Sequence, residues 1–380
     1  RRRGAPEMSV PASRVQVETT LAAHIATRIR AEGPISVAEY MRLALTHPEH
    51  GYYATREPLG AAGDFTTAPE ISQMFGELIG LWLGHQRAGI EGAAILAELG
   101  PGRGTLMADA LRAAPSLADL PLWLVEVSAP LRDAQATRFP DASWAGRLEE
   151  LPDGPLILIA NEFLDALPVH QYLADGTSWR EVQVGLDAAR GLAFGLSGPL
   201  PVGDAGPPDR GAWAERSPGV DAVIDEVARR ISRFGGAALF IDYGYTAADR
   251  PAGPTLQAVR GHERADPLAA PGEADLTWLL DFDALADRAR TTAGIAASVT
   301  CQGAFLVEMG IGGRAQMLAQ AQPSDADAIA DALERLTMAG AMGERFKALA
   351  IYPEGQDRPP GFDPATPVPS RRTENRRRGT

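Results

Sequence analysis

The sequence is poor in the residues from which crosslinks, metal sites and membrane spans are built. Among its 380 residues there is one cysteine, Cys301, so an intrachain disulfide is excluded. The six histidines are scattered along the chain without a metal-ligand pattern, and no metal site is predicted. No apolar run approaches the roughly 18 to 20 residues that a membrane-spanning helix requires.

Positive charge is also scarce. The chain carries 36 Lys and Arg against 49 Asp and Glu, a formal net charge of −13. A general binder of nucleic-acid backbones should be basic, so no nucleic-acid partner is predicted. An apolar content of 45% with 22% charged residues is typical of a globular protein with a buried core. The negative charge suits a basic or arginine-bearing partner, and it is also common among ordinary soluble enzymes.

The first ninety residues are predicted to be helical and to contain one long loop. Apolar residues recur at every fourth position within 16–32, which predicts an amphipathic helix. Two capping boxes predict the starts of further helices, at Ser36 with Glu39 and at Thr67 with Glu70. The Gly- and Pro-rich segment between the two boxes has a length typical of functional loops. We assign residues 14–90 to an N-terminal helical region with a lid loop.

From residue 91 to 352 the pattern predicts an α/β core. Short apolar runs alternate with helical patterns, which indicates a mostly parallel sheet with helices on both faces. The predicted strands are 93–99, 122–128, 156–160, 237–245 and 295–302, and the helices between them are 105–114, 131–139, 220–235 and 281–293.

Two insertions interrupt this alternation, and a tail follows it. Within the first, at about 169–215, polar and apolar residues alternate around Asp175-Gly176, which predicts a β-hairpin or meander. The second, at about 246–280, has little periodicity. The run FKALAIY, residues 346–352, is predicted to be a last edge strand, and the Pro- and Arg-rich residues 353–380 are predicted to be disordered.

The stretch AELGPGRG places three glycines, Gly100, Gly102 and Gly104, between a predicted buried strand and a helix. The start of a helix offers unpaired N–H groups and the positive end of the helix dipole. Glycine leaves these groups accessible and permits unusual backbone angles. Two interpretations follow: the glycines admit a ligand, or they form a tight turn without one.

The spacing of the glycines distinguishes among nucleotide ligands. A dinucleotide fingerprint would place its third glycine at position 105, which is Thr105. The observed E-x-G-x-G-x-G resembles class I S-adenosylmethionine-dependent methyltransferases. Glu126, about 20 residues further along at the end of the second strand, is predicted to accept the ribose hydroxyls, or else is a surface acid. Glu98 lies inside an apolar strand; it is predicted either to accept the cofactor's ammonium group or to brace the glycine loop.

Longer phrases resemble one family. GDFTTAPEISQMFGE, AELGPGRG, ANEFLDALPVHQ and FIDYGY, in this order, are similar to the MidA-like family, over about residues 35–353. The resemblance implies a class I, Rossmann-like methyltransferase fold and S-adenosyl-L-methionine as cofactor. It further implies methylation of a protein arginine in a respiratory complex I subunit during assembly. The corresponding location is the cytoplasm in a bacterium and the mitochondrial matrix in a eukaryote.

Methylation of an arginine requires carboxylates that hold the guanidinium and handle its proton. Asn161, Glu162 and Asp165 follow the strand LILIA, at the edge where open α/β sheets bind ligands. Glu162 and Asp165 are predicted to grip the guanidinium, or Asn161 and Glu162 to orient it. The other interpretation is helix capping, with Asn161 as the N-cap and the acids in the first turn.

Two further pairs are candidates for the same site. Asp64 and Phe65 are predicted to close over the cofactor as a lid, with a hydrophobic staple as the other interpretation of Phe65. Asp242 and Tyr243 end the strand ALFI and are candidate pocket residues, although Tyr243 is equally explained as a half-buried strand residue.

Three functions remain open from the sequence. The first is a protein arginine methyltransferase of complex I assembly. The second is a methyltransferase for a small molecule or another protein side chain, and the third is a non-catalytic chaperone that holds the cofactor. An NAD-linked oxidoreductase is disfavoured by Thr105.

Overall fold

The computed structural model describes residues 20–55, 67–90, 92–189, 191–201, 208–261 and 263–369. The helices are α1 (Thr20–Glu32), α2 (Val37–Thr46), α3 (Tyr52–Thr55), α4 (Ala68–Ile71), α5 (Gln73–Ala88), α6 (Thr105–Ala113), α7 (Ala129–Arg138), α8 (Pro218–Phe234), α9 (Phe282–Arg290), α10 (Gln302–Glu308), α11 (Ile311–Ala321), α12 (Ala326–Thr337) and α13 (Met342–Arg345).

In the described part of the chain the strands form three sheets. They are β1 (Ile35–Ser36), β2 (Ile95–Leu99), β3 (Leu122–Val125), β4 (Ser143–Ala145), β5 (Leu156–Asn161), β6 (His170–Ala174), β7 (Trp179–Asp187), β8 (Gly191–Leu196), β9 (Trp213–Arg216), β10 (Gly236–Tyr245), β11 (Gln257–Arg260), β12 (Glu263–Ala265), β13 (Asp275–Thr277), β14 (Leu280–Asp281), β15 (Ile295–Cys301) and β16 (Phe346–Pro353).

The main sheet is mostly parallel, as predicted. Its order is β4-β3-β2-β5-β10-β16-β15, and β14 adds to the end of β10. Strands β4, β3, β2, β5 and β10 run parallel, whereas β16 is antiparallel to both of its neighbours. The prediction that residues 346–352 form the edge strand is wrong, because β15 lies outside them. All seven residues are buried, which an interior strand requires.

Helices cover both faces of this sheet, and two hydrophobic cores result. Along β10, Ala238 and Phe240 contribute to one core, and Leu239 and Ile241 contribute to the other. The alternation follows from the two-residue repeat of a strand. Helices α1, α2, α8 and α9 cover the first face, and α5, α6, α10 and α11 cover the second. The α/β architecture with helices on both sides is therefore confirmed.

The N-terminal helices agree with the sequence in one capping box and differ in the other. Ser36 caps α2, and its Oγ accepts a hydrogen bond from Glu39 N at 3.0 Å. Thr67 precedes α4 but makes no side-chain cap. The helix that this second box predicts is interrupted at Ser72, whose Oγ accepts from Met74 N and caps α5 instead.

The two insertions carry β structure. Strands β6 and β7 form the predicted hairpin, in which Asp175 Oδ1 accepts from the N–H groups of Thr177 and Ser178. With β1, β8 and β9 they make a five-stranded sheet. The second insertion contains a three-stranded sheet, β12-β11-β13, which its weak periodicity did not indicate.

The segment after β16 packs on the core, so the prediction of disorder is wrong for residues 354–369. Phe362 is 2% exposed, and its ring lies 5.6 Å from that of Phe305. Trp82 Nε1 donates to Pro360 O at 3.1 Å, and the Glu308 carboxylate accepts from the N–H groups of Gly361 and Asp363. One aromatic side chain and one carboxylate thus hold a segment whose composition favours disorder.

No helix within the described ranges has both the length and the apolar content to cross a membrane.

Replacement of Phe362 by alanine tests this packing. We expect Phe362→Ala to lower the free energy of unfolding by about 3 to 5 kcal/mol, because a fully buried aromatic ring leaves a cavity. Met317→Ala is the control, since that side chain is 64% exposed and should change stability little. Urea denaturation of both variants measures the difference. Equal losses would contradict the packed position of the segment.

Candidate active site

The candidate site lies at the carboxyl ends of β2, β3, β5 and β10. These strands are parallel and neighbours, so the segments that follow them meet along one edge of the sheet. The segments after β2, β3 and β5 carry the glycine loop, Glu126 and the NEFLDALP residues, and Asp242 lies within β10, next to the end of β5. The fold therefore gathers residues that are far apart in the sequence.

The glycine loop needs glycine at each of the three positions. Gly100, Gly102 and Gly104 have φ of 60°, 54° and 75°, the left-handed region that side chains disfavour. A Cβ on Gly100 would lie 2.8 Å from a ring carbon of Phe163, and one on Gly104 would lie 2.5 Å from Phe139. The tight turn thus requires all three glycines, and two of them also make room for aromatic rings.

Glu98 supplies a buried acceptor without a donor. It is 3% exposed in β2, and its Oε2 has no hydrogen-bond partner. Burial raises the pKa of Glu98 to about 8. A bound ammonium group would satisfy the orphaned oxygen and restore the ionised form. Among the hydrogen bonds described, this carboxyl group makes none to the glycine loop, so Glu98 is a candidate acceptor for that ammonium group.

Glu126 lies one residue beyond β3 and is 8% exposed. Its Oε1 accepts from the N–H groups of Val127 and Ser128 at 2.9 and 2.8 Å. Burial raises the pKa of Glu126, and these bonds oppose that shift. The carboxylate is thus fixed at a strand end rather than free on the surface, as a ribose acceptor requires.

Glu98, the glycine loop and Glu126 are together called the nucleoside cradle. Gln135 links the glycine loop to Glu126, and sequence reasoning missed it. Its Nε2 donates to Gly102 O at 2.7 Å and lies 3.5 Å from Glu126 Oε2. Its Oε1 accepts from Trp144 Nε1 at 2.8 Å, and the side chain is fully buried. A glutamine in a largely polar helix gives no signal of this position, which depends on how α7 packs.

No helix follows β5, so the helix-capping interpretation of NEFLDALP is wrong. Residues 162–169 form a loop. Glu162 has φ of 52° and is the one non-glycine residue with positive φ in the described part of the chain. Such strain persists only where the surroundings impose it, and it is often found at functional sites.

Asp242 imposes the shape of this loop. Its Oδ2 accepts from the backbone N–H groups of Phe163, Leu164 and Asp165 at 3.1, 2.8 and 3.3 Å. Its Oδ1 accepts from Tyr243 N. Burial, with the nearby Glu162, raises the pKa of Asp242 to about 7. Asp242 thus positions the loop rather than lining an open pocket.

Glu162 and Asn161 form a pair at the end of β5. Glu162 Oε1 accepts from Asn161 Nδ2 and from Ala68 N, each at 3.1 Å. The second bond ties the loop to the start of α4. Asn161 Oδ1 is buried without a partner. Burial raises the pKa of Glu162, and the two hydrogen bonds oppose that shift.

Asp165 lies among other acids. It is 4% exposed, and burial together with Asp242 and Asp275 raises its pKa well above the usual range. Tyr53 Oη donates to Asp275 Oδ1 at 3.1 Å. Tyr53 and Asp275 come from α3 and β13, and neither was predicted for the site. Several buried carboxyl groups close together form an environment that attracts a cation.

The remaining predicted residues lie elsewhere. Tyr243 packs against Phe346 with ring centres 3.9 Å apart, so it is the half-buried strand residue of the second interpretation. Asp64 and Phe65 lie outside the described residues. Within the described ranges, no group of three or more His, Cys, Asp or Glu could hold a metal ion.

These features define a class of protein. A parallel sheet with one antiparallel strand next to its edge, a glycine turn after β2, a fixed carboxylate after β3 and an orphaned buried carboxyl group in β2 describe a Rossmann-like, nucleoside-binding methyltransferase.

Comparison with known proteins gives the family. The family model described as "Putative S-adenosyl-L-methionine-dependent methyltransferase" matches residues 78–301. The chain belongs to this family, as its motifs predicted, and S-adenosyl-L-methionine is the cofactor.

The chain is similar to named relatives over most of its length. It is 37% identical to the "Protein arginine methyltransferase NDUFAF7 homolog, mitochondrial" of Drosophila melanogaster, covering 92% of this chain and 90% of the relative. The human "Protein arginine methyltransferase NDUFAF7, mitochondrial" is 35% identical, with coverage of 88% and 84%. A Burkholderia thailandensis protein solved with S-adenosyl-homocysteine has a TM-score of 0.77 and 25% identity, covering 93% of this chain and 97% of that one.

Alanine at Gly104 tests the turn. We expect Gly104→Ala to weaken S-adenosyl-homocysteine binding at least fivefold, because Phe139 must move and the loop with it. Gly92→Ala is the matched control: φ there is +83°, but no atom lies within 4 Å of the added Cβ. That control should lose only about 1 to 2 kcal/mol of stability from left-handed strain. Calorimetric titration measures both, and equal affinity in the two variants would contradict the assigned role of the turn.

Proposed function

We propose that this chain transfers a methyl group from S-adenosyl-L-methionine to an arginine side chain of a protein. The observation that carries the proposal is the position of a partly buried, strained acidic loop beside the nucleoside cradle. Glu162 and Asp165 lie on that loop, both with raised pKa. Support also comes from the relatives named as protein arginine methyltransferases, which match most of the chain.

The cradle residues would hold the cofactor in a defined way. Glu98 would accept from the ammonium group, and Glu126 would accept from the ribose hydroxyls. The backbone of Gly100, Gly102 and Gly104 would lie against the methionine portion, where side chains would obstruct it. When bound, the cofactor supplies an activated methyl group on a sulfonium centre, so the protein mainly positions the nucleophile and excludes water.

The loop residues would bind and orient the substrate. An arginine is almost always charged in water, and its attacking nitrogen must give up a proton as it is methylated. Glu162 and Asp165 would hold the guanidinium, while the buried Asn161 Oδ1 would accept one of its N–H groups. A carboxylate whose pKa is raised by burial is a stronger base than an exposed one, which suits it to take that proton.

The protein partner in this proposal is a subunit of respiratory complex I, methylated during assembly. The motif resemblance implies a complex I subunit, and the net charge of −13 suits an arginine-bearing partner. The corresponding location is the bacterial cytoplasm, or the mitochondrial matrix in a eukaryote.

Glutamine at position 162 tests the catalytic role. Because glutamine retains an acceptor oxygen for Ala68 N and Asn161 Nδ2, Glu162→Gln removes the charge without removing the observed hydrogen bonds. We expect methyl transfer to fall at least tenfold with cofactor affinity unchanged. The assay uses radiolabelled S-adenosyl-L-methionine and an extract of cells that lack this gene.

Glu149→Gln is the control; because Glu149 is exposed and lies outside the candidate site, this variant should keep full activity. Label on one polypeptide with the size of a complex I subunit supports the proposal. Normal turnover by Glu162→Gln would remove Glu162 from the mechanism, and label on small molecules alone would overturn the protein substrate.

The raised pKa of Glu98 predicts how cofactor affinity depends on pH. Since this pKa is about 8 in the free protein, the carboxyl group is mostly neutral at pH 6 and must lose a proton to pair with an ammonium group. Affinity for S-adenosyl-homocysteine should therefore rise with pH between 6 and 7.5, by roughly tenfold per unit at most. Glu98→Gln should flatten this dependence, and an unchanged slope in calorimetry would exclude Glu98 as the ammonium acceptor.

A further inference from the structure

A cavity of about 160 Å³ lies at the carboxyl end of β10, between β9, α8 and α9. None of the cofactor or loop residues described above lines it. Its charged lining residues are Glu215, Arg216, Asp221, Arg250 and Asp281, and its aromatic ones are Trp213, Tyr245 and Trp278. A single water needs about 10 to 15 Å³, so this cavity has room for a side chain.

The contacts of Arg250, which lines the cavity, indicate the kind of group that would bind there. Its Nη2 lies 2.7 Å from Asp281 Oδ2, and its guanidinium carbon lies 5.3 Å from the centre of the Tyr245 ring. A carboxylate at hydrogen-bond distance together with an aromatic face is the arrangement that selects a planar guanidinium. Arg250 is 54% exposed along its side chain, whereas Asp281 is 18% exposed.

The other acids of the cavity are engaged elsewhere. Glu215 accepts from Gln171 Nε2 and from both the N–H and the hydroxyl of Thr255. Asp221 Oδ2 lies 3.0 Å from Arg288 Nη1. Asp281 differs from them because its cationic partner is Arg250, a half-exposed residue in the connection between β10 and β11.

The cavity borders the loop that carries the candidate catalytic residues. Trp278, in its wall, donates from Nε1 to Leu167 O at 2.9 Å. Leu167 belongs to the loop that contains Glu162 and Asp165. One indole ring thus contacts both the cavity and that loop, which places the cavity within reach of a peptide bound at the loop.

We propose that this cavity binds a second arginine side chain of the protein substrate, which takes the place of Arg250 against Asp281 and Tyr245. The inference rests on the proposed function for the identity of the substrate. The cavity would select substrates that carry two arginines close together, and in their absence Arg250 would keep its contacts with Asp281 and Tyr245 at the cavity wall.

Direct binding tests the recognition without methyl transfer. The probe is N-acetyl-arginine amide, titrated into the full chain and followed by tryptophan fluorescence, because Trp213 and Trp278 line the cavity. We expect Arg250→Ala to bind the probe at least fivefold more tightly than the unaltered chain, since the internal competitor is removed. Arg260→Ala, which removes an exposed arginine paired with Glu273, is the matched control and should leave affinity unchanged.

A second substitution tests the carboxylate. Asp281 Oδ1 caps α9 by accepting from Ala284 N, and asparagine keeps that oxygen. The double variant Asp281→Asn, Arg250→Ala should bind the arginine probe no more tightly than the unaltered chain. The neutral probe N-acetyl-citrulline amide should bind Arg250→Ala no more tightly than it binds the unaltered chain. Equal affinity of Arg250→Ala and the unaltered chain, or equal binding of the arginine and citrulline probes, would overturn the inference.

The role in substrate binding has its own measurement. We expect Asp281→Asn to raise the KM for the labelled polypeptide at least threefold, while Asp287→Asn, whose side chain is 78% exposed, leaves it unchanged. An unchanged KM in Asp281→Asn would overturn the inference. Probe binding in the absence of any methyl transfer would instead overturn the proposed function alone.

Discussion

The buried carboxyl group of Asp242 determines the shape of the candidate active site. It gathers three consecutive amides of the loop after β5 and thereby holds Glu162 in a left-handed conformation. Since β10 pairs with β5 along its length, the position of Asp242 relative to the loop is set by the sheet itself. The loop is thus fixed by an interior strand of the main sheet, and precise positioning of a nucleophile requires such a fixed support.

The buried acidic residues of the site oppose folding when they are ionised, and they favour the binding of cations. Burial raises the pKa of Glu98, Glu162, Asp165 and Asp242, so their ionised forms are disfavoured in the free protein. The ammonium group of the cofactor and a substrate guanidinium would each relieve part of this cost. In the nucleoside cradle, the Glu98 oxygen without a hydrogen-bond partner would gain one when the ammonium group binds. It lies next to a glycine turn that cannot accept side chains.

Cation recognition recurs outside the cradle. The cavity that Arg250 lines combines an acid and an aromatic ring, and Trp278 connects it to the loop after β5. Both insertions contribute here: β9 closes the first, and Arg250 and Trp278 belong to the second. The α/β core carries the candidate cofactor-binding residues, whereas the insertions provide surfaces that could recognise a protein substrate.

Local pattern determined the alternation of strands and helices, the glycine turn, the Ser36 cap and the hairpin at Asp175, because each depends on residues a few positions apart. Only the tertiary structure decided what depends on distant partners. It placed β16 inside the sheet, packed Phe362 on Phe305, and buried Gln135 between the glycine loop and Glu126. It also made the NEFLDALP segment a loop rather than a helix, because its amides bind Asp242, 77 to 79 residues away, instead of carbonyl groups one turn back.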